Sequence, residues 1–299
     1  MMLNFGFLIL FLKFFYLHSF SLIDMDNIVK YSLICNSKSS DFNGNKYCLK
    51  VFQNEEQMFG ELFARKFASL LNLKSDKFPL GKFKKYQTSE LKWNRNYDLL
   101  HRINLSYINE VWTMGSLYIH DSRPTHLPIQ LLPNDIEIEF QKNGTRMTGE
   151  EAITWSELII FDFLTGNVDR VVSHYINRQW NTHIFDHHIP NLGIYNQSLL
   201  IYFDNDAAFF QGYRIQEKYD VFHLKLLNQI SICSKSLIER LKTLKEIDVL
   251  IFQKSLKNAP PLKIENNFVD FNYLNLSFKK ITDLISRIKT VLKHCQNLS

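Results

Sequence analysis

Strand-like runs dominate the first part of the chain, and helix-period runs dominate the second. Lys46-Tyr47-Cys48-Leu49-Lys50-Val51-Phe52 reads as a strand, and Asn43-Gly44 before it is a tight-hairpin pair. The rhythm then becomes helical. Leu62, Phe63, Phe67, Leu70 and Leu71 share one face of a helix predicted over Glu55 to Leu73, with Asn54 as its cap. Pro79 and Gly81 break that pattern, a lysine-rich strand-like stretch follows, and Gly115 to Ile119 is the clearest strand beyond it. Pro124, Pro128 and Pro133 crowd the next segment, the natural place for a hinge.

Past that crossing, Glu150 to Leu164 predicts a buried helix, and Leu199 to Phe203 a short buried strand. Residues 171–198 between them read as a polar loop. Helical patterning returns from Asp220 to Leu250 and from Asn272 to His294. The resulting expectation is an α+β fold of two lobes. A small strand-rich lobe spans about 25–120, and a larger helical lobe spans about 121–299.

Composition changes this picture little. Hydrophobic residues at 45% and charged residues at 22% are ordinary for a globular domain with an ample core. A formal charge of +5 from scattered cations lacks the concentrated basic face of a nucleic-acid protein, so no nucleic acid is expected as partner. The first 24 residues are different. They are almost wholly apolar and read as a signal peptide or a type II signal anchor, the alternative being a buried N-terminal helix.

Four cysteines, Cys35, Cys48, Cys233 and Cys295, suit two disulfides in a secretory chain, with three connectivities open. Pairing Cys35 with Cys48 would staple a hairpin, and pairing Cys233 with Cys295 would tie the final helices. Asn104, Asn143, Asn196, Asn275 and Asn297 head glycosylation sequons, which agrees with a lumenal route.

Candidate chemistry gathers in two acidic segments. Asp162-Phe163-Leu164-Thr165-Gly166-Asn167-Val168-Asp169-Arg170 closes the apolar helix, and the strand at Leu199 delivers Asp204-Asn205-Asp206. Phosphoryl-transfer enzymes divide their labour in this way: one carboxylate accepts the proton of the attacking hydroxyl, and another holds the metal on the phosphates. Asp169 is the candidate base, with Asn167 and Arg170 beside it to orient it or steady charge. Asp204 is the candidate metal ligand. Lys50 on a strand and Glu61 on the next helix are placed to hold nucleotide phosphates.

Each residue also has a plainer use. Asp and Asn cap helix ends, Asx residues make strand-to-turn junctions, and Lys50 and Glu61 fit a surface Lys and a first-turn helix Glu interacting with the helix dipole. His183, Asp186, His187 and His188 lack helical ligand spacing and read as a solvated loop rather than a metal site. No G-x-G-x-x-G precedes Lys50 and no H-R-D-x-x-x-x-N occurs, which excludes an ordinary cytosolic protein kinase.

Trp155 to Arg170, Phe203-Asp204-Asn205-Asp206-Ala207-Ala208, and Gly212-Tyr213-Arg214 together resemble the core motifs of the four-jointed family. So does Asn54 to Glu61 followed by Ala68-Ser69-Leu70-Leu71-Asn72-Leu73. The resemblance runs from about Cys35 to Cys295. It implies an atypical, two-lobed kinase-like fold related to the Golgi casein kinase, in a type II Golgi or secreted enzyme. It implies ATP with manganese or magnesium as cofactors, and transfer of phosphate to Ser or Thr of extracellular cadherin domains. A role in cadherin-mediated planar polarity and growth signalling follows from that. By the same resemblance Asp169 sits at the catalytic Asp, Asp204 at the metal Asp, Glu61 at the helix Glu and Lys50 at a basic strand position. The same residues also fit a silent pseudokinase or a kinase of glycan hydroxyls.

Overall fold

The computed structural model describes residues 33–40, 46–52, 55–73, 80–87, 110–117, 123–132, 147–177, 180–181, 184, 187–195, 198–246 and 278–298. Residues 1–24, the expected leader, lie outside them. So do Asn54, His183, Asp186 and every sequon asparagine but Asn297, which is exposed on the last turn. Among the described residues no helix is long and apolar enough to cross a membrane.

Four strands, β1 (Leu33–Ser40), β2 (Lys46–Val51), β3 (Leu80–Gln87) and β4 (Glu110–Leu117), pair in the order β1-β2-β4-β3. Every pairing is antiparallel, and the register sets Cys35 opposite Cys48. The helix α1 (Glu55–Leu71) follows β2 and packs against β4. Met58, Leu62, Phe63, Phe67 and Leu71 recur at helical spacing on its buried side.

The rest is largely helical. The central helix α2 (Gly149–Thr165) is buried on all sides from Thr154 onward, as a helix enclosed by others must be. Its ends are strongly specified. Glu151 donates its N–H to the Thr148 hydroxyl, and Thr148 donates its own to the Glu151 carboxylate at 2.7 Å. Gly166 closes the other end in the left-handed region at φ 68°, which favours glycine. After α2 come α3 (Val171–Asn177), α4 (Phe210–Arg214), α5 (Gln216–Leu227), α6 (Lys235–Glu246) and α7 (Phe278–Gln296). Of these α5 and α7 pack against α2, while α3 packs on α5, α4 on α1 and α6 on α7.

A second sheet places β5 (Arg123–Pro124), β6 (Leu192–Tyr195) and β7 (Leu199–Tyr202) side by side, with β6 central. The proline-rich crossing therefore docks onto the helical part: Arg123 lies opposite Ile194, and Ile189 donates its N–H to the Thr125 carbonyl at 2.8 Å. Cys233 and Cys295 form a disulfide that ties the segment before α6 to the end of α7. One hydrophobic cluster runs from α1 through α2 and α5 to α7, so the two parts share a core.

Two expectations are corrected here. The stretch 171–198 is not a continuous loop, because it contains α3 and β6. Val171, Val172 and Tyr175 bury one side of α3, but Ser173, His174 and Asn177 mask its period in the sequence. The helical run 220–250 is two elements. α5 starts earlier, at Gln216, and stops at Leu227, and a turn at Asn228-Gln229 leads to Cys233 and α6.

Candidate active site

Asp169 and Asp204 enter from separate elements and are lashed together by the residue after the first. Past the Gly166 cap the chain turns sharply, and Asp169 donates its backbone N–H to the Asn167 Oδ1 at 3.0 Å. That Asx turn fixes the loop and leaves the Asp169 side chain partly exposed. Asn167 itself is buried, and its Nδ2 has no hydrogen-bond partner.

Arg170 is fully buried, a location an arginine tolerates only when its donors are matched. Its Nε donates to both Asp162 carboxylate oxygens, at 3.1 and 3.2 Å, and its Nη2 donates to Oδ1. Its Nη1 donates to the Phe203 carbonyl and to the Asn205 Oδ1, each at 2.9 Å. The guanidinium thus holds the backbone on one side of Asp204 and the side chain on the other. Burial pushes the Asp162 carboxyl up, with Arg170 pulling it back down. Burial alone would lower Arg170, but the Asp162 carboxylate overrides it and holds the guanidinium above its usual value.

Asp204 itself sits at φ 51°, a left-handed conformation that Asp tolerates better than most residues, and its side chain stays partly exposed. Asn205 then turns inward. Its backbone N–H donates to Glu61 Oε2 and its Nδ2 to Glu61 Oε1, the latter at 3.3 Å. Glu61, fully buried on α1, also accepts from Arg65 Nε at 2.6 Å. A buried chain therefore runs from Glu61 through Asn205 and Arg170 to Asp162, joining α1 to α2.

The chain after Asp206 is seated by close backbone approach. A Cβ at Gly60 would lie 2.4 Å from the Asp206 carbonyl oxygen, so α1 comes this near only because position 60 is glycine. Phe209 donates its N–H to the Thr165 carbonyl at 2.7 Å. Its buried ring meets Phe67 and Phe63 edge to face, with centroids at 5.8 and 6.4 Å.

The expected residues therefore separate. Asp169 and Asp204 present partly exposed carboxylates. Asn167 and Arg170 are buried behind them, where Arg170 touches protein groups and acts as a clamp. Glu61 reaches the Asp204 loop through Asn205. Lys50 has its backbone in β2, opposite Leu33 and Met114, and its side chain lies outside the described residues. Sequence reasoning gave no role to Asp162 and only a turn or an auxiliary ligand to Asn205. A carboxylate inside the apolar run Leu158 to Leu164, eight residues before an arginine, was the available signal for the Asp162–Arg170 pair.

The histidines form a separate group. His174 is buried with its Nε2 3.3 Å from the His187 carbonyl, and burial pushes it down to about 4. The His126 and His188 rings lie 4.1 Å apart, and His187 is exposed. Among the described residues no group of three His, Cys, Asp or Glu is arranged to hold a metal ion.

A family model described as the four-jointed box protein middle domain matches residues 35–298. The chain belongs to the four-jointed box family. It is 38% identical over 96 residues to the "Extracellular serine/threonine protein kinase four-jointed" of Drosophila melanogaster, covering 32% of this chain and 16% of that protein. It is 25% identical over 220 residues to "Four-jointed box protein 1" of Xiphophorus maculatus, covering 71% of this chain and 49% of that protein. The four-jointed chain thus spans about half or less of the length of these relatives. A crystal structure of the Golgi casein kinase superposes with a TM-score of 0.50 at 12% identity, covering 90% of this chain and 71% of that one. The fold is therefore the two-lobed, atypical kinase-like one.

Proposed function

We propose that this four-jointed chain is a lumenal or secreted ATP-dependent phosphotransferase acting on Ser or Thr hydroxyls of cadherin-repeat domains. The observation that carries the reading is the Arg170 clamp. It lashes the loop of a partly exposed Asp169 to the loop of a partly exposed Asp204, so two carboxylates share one rigid support. Preorganisation of this kind is what in-line transfer asks of a protein, since positioning and electrostatics do most of the work.

Asp169 then accepts the proton of the acceptor hydroxyl as the bond to phosphorus forms. The Asn167 side chain, through its bond to the Asp169 N–H, keeps that loop turned to the acceptor. Asp204 offers hard oxygen donors, and no all-protein metal cage exists among the described residues. That donor set suits manganese or magnesium arriving with nucleotide phosphates, which such ions bind through one or two carboxylates. When bound, the ion neutralises charge on the phosphates. In this reading Lys50 and Glu61 serve the nucleotide side, Glu61 from its buried position behind the Asp204 loop.

Compartment follows from three features together: the apolar first 24 residues, the sequons and the Cys233–Cys295 disulfide. They support a Golgi-lumenal type II or secreted protein, and the proposed part in cadherin-mediated polarity and growth signalling rests on membership of the four-jointed family.

Binding tests the site before turnover does. Manganese–ATP should raise the melting temperature of the parent and of Asp169→Ala, and leave Asp204→Ala unmoved. No stabilisation of the parent would favour a pseudokinase acting as a non-catalytic partner.

A further inference from the structure

Asn205 sits where two charges of opposite sign face one buried position. From α1 comes the Glu61 carboxylate, itself paired to Arg65, and from behind Asp169 comes the Arg170 guanidinium, itself paired to Asp162. An acceptor is needed toward Arg170 and a donor toward Glu61. A primary amide of this length supplies both without taking up a proton. The amide is also oriented by these neighbours: Oδ1 takes the Arg170 Nη1–H at 2.9 Å, and Nδ2 points to Glu61 Oε1 at 3.3 Å.

We propose that Asn205 is a positioning residue that couples the α1 carboxylate to the Asp169 loop, so that the nucleotide side and the acceptor side of the site assemble together. The proposal rests on the phosphotransferase reading for its consequence in turnover, but not for the coupling itself. Two features make the link separable from the fold. The Glu61 carboxylate keeps the backbone N–H of residue 205 and the Arg65 Nε whatever side chain stands there. Arg170 keeps Asp162 and the Phe203 carbonyl. Truncation at 205 therefore cuts the bridge and leaves each end with partners.

The sharper perturbation is Asn205→Asp. It keeps the acceptor toward Arg170 and sets a carboxylate against Glu61 Oε1, so an attractive contact becomes a repulsive one. Asn205→Ala removes both side-chain bonds, and adding Glu61→Ala closes a double-mutant cycle on the pair.

Melting curves without nucleotide decide the coupling. Asn205→Asp should melt below Asn205→Ala, and both below the parent. The loss in Glu61→Ala/Asn205→Ala should fall short of the sum of the two single losses. Asn205→Asp melting equal to the parent, or strictly additive losses in the double variant, would overturn the coupling.

Turnover decides its purpose. Asn205→Ala should lower kcat about tenfold, the usual effect of a lost supporting hydrogen bond, with the nucleotide KM within about threefold of the parent. An unchanged kcat would reduce Asn205 to a structural contact. A parent that transfers no phosphate, in which the double-variant losses are still non-additive, would count against the phosphotransferase reading and uphold the coupling.

Discussion

Arg170 and Arg287 grip the same turn of α2 from different elements, and the contrast between them separates site from scaffold. Arg287, on α7, donates to the Phe163 carbonyl and to Asp220 of α5, and its guanidinium lies 4.8 Å from the Phe163 ring and 5.4 Å from that of Tyr213. Arg170 donates to the neighbouring Asp162 but spends its other hydrogen bonds on the Asp204 loop. Both are buried arginines with matched donors. One organises helices around α2, and the other organises two loops that carry exposed carboxylates. A buried ion pair is therefore informative less by its strength than by what its spare donors reach.

Breaking the two arginines in parallel tests that division. Arg170→Ala leaves Asp162 buried and unpaired, and should cost about 3–5 kcal/mol in denaturant unfolding, with manganese–nucleotide stabilisation lost from any folded fraction. Arg170→Lys should rescue little, because an ammonium cannot match the fork of donors. Arg287→Ala should cost less, about 2 kcal/mol, because its Asp220 partner is 35% exposed and can regain water. Its nucleotide-induced stabilisation should persist. Equal loss of nucleotide response in both variants would erase the distinction.

Acid should act on the scaffold side as well. His223 is buried against the Phe163 ring, and burial pushes it down to about 3, with Arg287 adding to the shift. His174 is lowered to about 4 by burial. Both fold neutral and titrate higher when unfolded. Their contribution is complete above the unfolded value near 6.5 and is lost as pH falls from there toward about 4 for His174 and about 3 for His223. Stability should drop by about 2 kcal/mol per histidine between pH 7 and pH 5, measured by denaturant titration, and His223→Phe should remove its share.

The smallest effect belongs to a third arginine. Arg214 pairs with Glu56 at 2.7 Å, joining α4 to α1 at the surface. Both side chains are at least half exposed, so Glu56→Ala should shift stability by less than about 1 kcal/mol and leave nucleotide response intact.

The sequence carried the elements with strong periodicity. α1 begins at the expected Glu55 and ends two residues before Leu73, and α2 lies within a residue of the expected 150–164, because apolar spacing and caps are local signals. α3 and β6 escaped because their burial depends on partners elsewhere, and their own residues are mixed. The carboxylates Asp169 and Asp204 were legible as chemistry from their settings at a helix end and a strand end. What joins them was not. Arg170 finds its acceptors 33 and 35 residues downstream, and Asn205 finds Glu61 across 144 residues. No local pattern encodes contacts of that range, and the resemblance to four-jointed proteins named candidate residues without their wiring.

The central claim is that Asp169 and Asp204 form one phosphoryl-transfer site. The most direct measurement is phosphate transfer from labelled ATP, with manganese, by the secreted protein onto cadherin-repeat fragments, with Asp169→Ala beside it. Transfer by the parent and none by the variant is the expected result. Equal transfer by both would remove Asp169 as the base and contradict the account.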